Sequence, residues 1–233
     1  MKGSSTDISR RILYEDNHLI IVNKLPSEIV QGDKTGDQPL SETVKDYIAV
    51  RYNKPGEVFL GVVHRLDRPV SGAVIFARTS KALARMNKIL HDRQIEKKYW
   101  AIVKDAPPQT EGVLVNYLKK NEEKNKSFAY HHEVNGSLRA ELRYRLIARS
   151  DQYALLEIEL MTGRHHQIRV QLSNIGCPIR GDLKYGFPRS NPDASISLHS
   201  RSLKFIHPVT LKEIFIVAPP PDEALWNFFA AKN

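Results

Sequence analysis

Two apolar runs, Val58 to Val63 and Gly72 to Ala77, bracket the charged octet His64-Arg65-Leu66-Asp67-Arg68-Pro69-Val70-Ser71. No other stretch limits the fold as much. Each run is short and bounded by turn residues, which is the signature of a buried strand and too brief for a helix. The octet must then be a tight connection between two buried strands. Packing does not explain an acid there. Arg65 and Arg68 favour the ionised form of Asp67, and they also make a local basic patch suited to a phosphate backbone. A structural salt bridge between Asp67 and Arg65, Arg68 or a distant arginine is the competing account, and the octet alone does not separate the two.

The rest of the chain supports an α+β fold with a central mixed or mostly antiparallel sheet flanked by helices and loops. Ile12 to Tyr14 and Leu19 to Val22 form a hairpin-like pair around Glu15-Asp16-Asn17-His18. Leu25 to Gly36 reads as loop. Ser41 to Tyr52 has helical spacing, with Ser41 as N-cap. Ser80 caps a second helix, apolar at Leu83, Met86, Ile89 and Leu90 and basic at Lys81, Arg85, Lys88 and Arg93. That basic face is either plain solvation or an RNA contact. Ile95 to Val103 is a strand, and Asn116 to Ser127 a lysine-rich mobile loop. Leu138 to Ala148 and Tyr153 to Leu160 form a long antiparallel pair. Thr162-Gly163 opens a helix, Arg164 to Asn174, closed by Gly176. Asp182 to Asn191 is loop, Ile196 to Ile206 and Glu213 to Val217 are strands, and Glu223 to Ala231 is a terminal helix. No linker separates independent domains, so residues 1–233 are expected to form one domain, with 1–10 as a flexible tail.

Lys+Arg 35 against Asp+Glu 26 gives a net charge of +9, which points to an anionic partner, most commonly nucleic acid. Nothing resembles a signal peptide, lipidation site or membrane span. The single Cys177 excludes an internal disulfide and a Cys-built zinc site, and a cytoplasmic setting is expected. A monomer is the default expectation.

Two further constellations could carry chemistry. In Gly163-Arg164-His165-His166-Gln167-Ile168-Arg169, helical spacing would crowd His165, His166 and Arg169 on one side. The adjacent histidines invite a metal, but no His-Glu-x-x-His spacing, second acid or cysteine pair accompanies them, and no metal is expected. His131-His132 lies in a separate polar stretch and reads as surface. In Lys97-Lys98-Tyr99-Trp100, Tyr99 is either a strand core residue or an aromatic that stacks on a base. No phosphate-binding glycine loop is present, so no nucleotide cofactor is indicated.

Taken together, these blocks resemble the RluA family of RNA pseudouridine synthases. The resemblance runs from Tyr14-Glu15-Asp16 to Pro220 and rests on five blocks. These are Leu19 to Lys24; His64-Arg65-Leu66-Asp67 with Ser71-Gly72; Lys98-Tyr99; Gly163-Arg164 and His166-Gln167-Ile168-Arg169 with Gly176, Gly181-Asp182 and Tyr185-Gly186; and Leu198-His199-Ser200 with His207-Pro208. Three positions depart from the family pattern. Val70 stands where Thr is usual, His165 where Thr or Ser is common, and Lys24-Leu25-Pro26-Ser27-Glu28 replaces Lys-Pro-x-Gly. The resemblance begins close to the start of the sequence, so no room is expected for the small N-terminal RNA-binding domain of many relatives, and RNA binding by the catalytic domain itself is the expectation.

The resemblance implies isomerisation of uridine in ribosomal or transfer RNA to pseudouridine, with no cofactor. Asp67 would act at C1′, as nucleophile or as base in a glycal route, and Arg169 would pair with it. Tyr99 would stack on the uracil and take part in removing the C5 proton. Arg65 would fill the gap left by a flipped-out base. His64, Arg68, Lys98, Arg164 and His166 are candidate RNA contacts, with His64 also suited to shaping the turn. A noncatalytic RNA-binding or ribosome-assembly protein with the same fold is the alternative. A glycosidase is disfavoured, because it needs two carboxylates across the bond and Asp182 is the nearest second acid.

Overall fold

A computed structural model of the chain describes residues 7–232. In chain order the elements are β1 (Ile12–Glu15), β2 (Leu19–Lys24), α1 (Leu40–Arg51), β3 (Gly61–Val62), β4 (Ser71–Ala77) and α2 (Ser80–His91). Then come β5 (Glu96–Val103), β6 (Glu111–Asn121), β7 (Lys126–Tyr130), β8 (Leu138–Arg149), β9 (Ala154–Leu160) and α3 (Gln167–Asn174). β10 (Leu198–Ile206), β11 (Glu213–Val217) and α4 (Ala224–Ala230) follow. The chain forms two compact units, one running to Glu96 and including Ser200–Pro219, the other Lys97–His199 with the chain from Pro220.

In the first unit the strand order is β1-β2-β4-β10, with β3 also on β4 and β11 on β10. The ladders β1·β2, β2·β4, β3·β4 and β10·β11 are antiparallel. All seven residues of β4 are buried, as are Leu19 to Val22 of β2. Both strands read as continuous apolar runs because both of their faces are covered. One side of this core joins Leu19, Ile21, Ala73 and Ile75 to Ala82 and Met86 of α2 and to Leu203 and Phe205 of β10. Gly72 is required where it stands. Its φ is 116°, and a Cβ there would lie 2.7 Å from Ser200 Cα.

The second unit is an antiparallel ladder, β5-β9-β8-β6-β7. One sheet face packs Leu118 and Ala140 on Val170 of α3 and on Tyr185. Toward β5, the opposite face packs Trp100, Ile102 and Leu155 on Trp226 and Phe229 of α4. Each such fully buried large side chain stabilises the unit by about 1.5–3 kcal/mol relative to exposure.

The structure corrects several expectations. Asn116 to Ser127 is not a mobile loop. β6 continues to Asn121, β7 starts at Lys126, and Tyr117 pairs with Tyr130. Lysine-rich composition hid the period-two alternation that buries Leu118 and Ser127. β3 holds only Gly61 and Val62 of the expected Val58 to Val63 strand. α1 begins at Leu40 behind Pro39, so Ser41 is not its cap. α2 is capped by Thr79, whose Oγ1 accepts from Ala82 N at 3.1 Å, and Ser80 is its first residue. α3 begins at Gln167, three residues later than expected, because His166 adopts the left-handed conformation, φ 54°. Ile8–Arg11, placed partly in the tail, form a 3-10 turn capped by Asp7, while residues 1–6 of that tail lie outside the described residues.

Candidate active site

In the first unit the octet is held by backbone bonds and by two side chains. Val70 N donates to Asp67 O at 3.0 Å, closing a tight turn with the half-buried Asp67 side chain on it. His64 accepts the Ile75 N–H on Nε2 at 3.2 Å, which ties the turn to β4 and makes Nδ1 the protonated ring nitrogen of the neutral side chain. Leu66 and Val70 point into the core and Arg65 is exposed. Arg68 bonds the preceding loop: its Nη2 donates to Thr35 Oγ1 at 3.1 Å and pairs with the Asp37 carboxylate. The local cation pair expected around Asp67 is therefore partly engaged by the 33–37 loop.

Beneath the turn lies Lys24, the last residue of the Leu19 to Lys24 block. It is completely buried, and its ammonium donates to the carbonyls of Leu25 (2.9 Å), Arg68 (3.1 Å) and Val70 (2.6 Å). Three donors meet three acceptors, which offsets the cost of burying the amine. Burial pulls its pKa down to about 7, against the opposing pull of the Glu28 and Asp67 carboxylates. Glu28 in turn accepts from Leu25 N and from both contacts of Arg11 Nη1. The signals for Lys24 in the sequence are its place at the end of the Leu19 to Lys24 block and a lysine closing a strand that opens with four apolar residues.

In the second unit Tyr99 is buried on β5 opposite Ile158. Lys98 is on the other face of the strand and reaches Glu157 at 3.5 Å. Lys97 shares the Tyr99 face by strand alternation, and burial lowers its pKa. Its ammonium lies 3.7 Å from where a Gly163 Cβ would be.

The loop before α3 is locked by Gln167, whose Oε1 accepts from Thr162 Oγ1 (2.8 Å) and Arg164 N (3.0 Å), while Nε2 donates to Glu141 O (3.0 Å). Arg164 donates its Nε to Arg139 O at 3.1 Å. His165 lies outside the helix, so the expected helical crowding with Arg169 does not arise. Its ring stacks on His166 at 3.8 Å, with Nδ1 2.9 Å from Ser127 Oγ and Nε2 3.2 Å from Asn125 Oδ1. His166 is buried with Nδ1 2.9 Å from Tyr185 OH. Burial first, then the Arg169 charge, pushes its pKa down to about 2, so it is neutral at physiological pH.

Arg169 is the centre of this group. Its Nε and Nη2 donate to the two oxygens of Asp182 at 2.7 and 2.9 Å, a bidentate pair with 6% and 1% side-chain exposure. Its guanidinium carbon is 5.1 Å from the centre of the Tyr185 ring. Asp182, which looked like a loop acid, is thus the fixed counter-ion of the α3 arginine. Its presence in the Gly181-Asp182 block was the available signal.

A family model described as RNA pseudouridylate synthase matches residues 18–174 of the chain. Ribosomal large subunit pseudouridine synthase C of Buchnera aphidicola subsp. Acyrthosiphon pisum (strain APS) is 35% identical over 224 residues, covering 92% of this chain and 68% of the relative. Ribosomal large subunit pseudouridine synthase D of Zymomonas mobilis subsp. mobilis (strain ATCC 31821 / ZM4 / CP4) is 32% identical over 228 residues, covering 93% and 71%. The structure of human RNA pseudouridylate synthase domain containing 4 superposes with a TM-score of 0.78 at 24% identity, covering 97% of this chain and 92% of that one. That likeness fixes the fold, α+β as expected. The family match, with two such relatives over nine-tenths of the sequence, means that the chain belongs to the RNA pseudouridylate synthase family, isomerases that act on RNA.

Proposed function

We propose that this protein converts uridine to pseudouridine in ribosomal RNA, with Asp67 acting at C1′. The observation that carries the reading is the family match over residues 18–174, which takes in Asp67, Tyr99 and Arg169. The substrate class follows the named relatives, whose names place them on the large ribosomal subunit. In the reaction the N1–C1′ bond breaks, uracil turns, and C5 bonds to C1′. C5 gives up its proton and N1 gains one, so no redox partner or energy source enters.

Asp67 needs to be aimed and anionic, and its turn is built for aim: Lys24 holds the carbonyls of Arg68 and Val70 just after it, and the His64 ring just before it is anchored to Ile75 N. Tyr99 is the aromatic for the uracil and a participant in C5 proton removal. Arg169, fixed by Asp182, supplies an immobile positive charge. Arg65, exposed on the turn, is free to enter the space of a flipped base. We read both compact units as one monomeric catalytic domain working in the cytoplasm. No described helix is long and apolar enough to cross a membrane.

The test is to map pseudouridines in ribosomal and transfer RNA from cells with and without the protein. Loss of a large-subunit ribosomal site in its absence is the expected result. Loss confined to transfer RNA would move the substrate, and identical maps would overturn the reading.

A further inference from the structure

α2 (Ser80–His91) carries its charges against its own stability. Its buried side, Ala82 and Met86 with Leu83, Ile89 and Leu90, packs on the first unit's core. The exposed side presents Lys81, Arg85 and Lys88 at i, i+4 and i+7, with Arg93 just past the end. Lys81 sits in the first turn, where the free N–H groups and helix dipole favour an acid, and no acid is there. Lys81 and Arg85, four apart, and Arg85 and Lys88, three apart, are like-charge neighbours that oppose helix formation. The helix contains no Asp or Glu, and the carboxylate that answers Lys88 is that of Asp92, 2.7 Å away at the C-cap.

Arg93 takes the left-handed position that stops the helix, φ 58°, where glycine is the unstrained residue. Arg93 N–H to Leu90 O and Gln94 N–H to Ile89 O close the helix end there. Arg85 donates Nη1 to Pro208 O at 3.2 Å, which steadies the ridge against a neighbouring turn. A cation at the C-terminal end suits the helix dipole, but Lys81 at the other end does not. Local stability therefore accounts for Lys88 but not for Lys81 or for the like-charged row that it begins, and a polyanion offsets that repulsion.

We propose that this ridge holds the phosphate backbone of the RNA substrate. The inference rests on the function proposed above and extends it. Lys81 to Lys88 spans about 10 Å of helix, enough to reach neighbouring phosphates of one strand. Residues 80–93 contain no Phe, Tyr or Trp, so the ridge tracks the backbone without stacking bases.

The experiment uses the full chain and the triple variant Lys81→Gln, Arg85→Gln, Arg93→Gly. The probe is an unmodified transcript of large-subunit ribosomal RNA, with binding measured from about 50 to about 200 mM salt. The variant is expected to bind at least about tenfold more weakly, with the slope of log affinity against log salt shallower by about two. Its turnover at saturating RNA should match wild type and its Tm should be equal or higher. An unchanged slope overturns the proposal. So does a Tm several degrees lower, which would assign the cations to the fold. Anionic vesicles that bind wild type but not the variant, with the RNA slope unchanged, would give the ridge to a lipid surface. If wild type forms no pseudouridine in any RNA, the underlying function fails; if it does and the variant's slope is unchanged, only the ridge fails.

Discussion

Lys24 and Asp182 are the two residues on which the candidate site leans hardest, and both are buried charges. Lys24 has a folded pKa near 7 against 10.5 for an exposed lysine, so between those values the unfolded chain binds the proton and the folded chain does not. Stability must then rise with pH across that window, by at most about 1.4 kcal/mol per pH unit. Below about pH 7 both states hold the proton and the burial cost is at its full value. Denaturant titrations from pH 7 to 10 should show this rise in wild type and a flatter curve in Lys24→Met, and parallel curves would contradict it. Asp182→Ala leaves the Arg169 guanidinium buried without its carboxylate, and should cost about 3–5 kcal/mol of stability. Asp182→Asn keeps the shape and removes the charge. It should fold more stably than Asp182→Ala and still lose pseudouridine formation, whereas wild-type activity would show that the pair serves packing alone. Each stands in a block of the family resemblance, but the neighbours of neither residue reveal its role. A lysine with no exposure defies the ordinary burial rule, and an aspartate between Gly181 and Leu183 has the composition of a loop.

At the scale of elements, strand positions were more legible than helix starts. β2, β4 and β9 could be found because apolar runs and alternation survive in one sequence, and β11 coincides with its expected span. Ser80 and Thr79 are both able to cap a helix, and only the fold decides which hydroxyl reaches Ala82 N. Arg164 to His166 fit helical spacing, but Gln167 pins them as a loop, so α3 is shorter than the spacing predicts. The β6–β7 hairpin reads as a loop in the sequence because its polar end hides its pairing. That hairpin meets the loop before α3 through His165, Ser127 and Asn125. His165→Ala removes the ring's hydrogen bonds to Ser127 and Asn125 and should cost about 1–2 kcal/mol, with faster amide hydrogen exchange around Asn125 to Ser127. Unchanged exchange there would mean that the hairpin holds itself.

Over the whole molecule, the +9 charge pointed to an anionic partner without locating it. The structure divides those cations by use. Arg11, Arg78 and Arg169 are spent on buried or half-buried carboxylates. Arg68 and Arg164 bond neighbouring loops or strands. Lys81, Arg85 and Arg93 face outward on or beside α2. The signature around Asp67 was readable from the start because it is contiguous, while the counter-ion of Arg169 is not contiguous with it and needed coordinates. The central claim is that Asp67 breaks and remakes a glycosidic bond at uridine. RNA carrying tritium at uridine C5, isolated without its own modification at the target, tests it most directly. Wild type should release the label at its target uridine with chelator present as without it, and Asp67→Asn should release none. Release by Asp67→Asn at the wild-type rate, or none by wild type, would contradict the account.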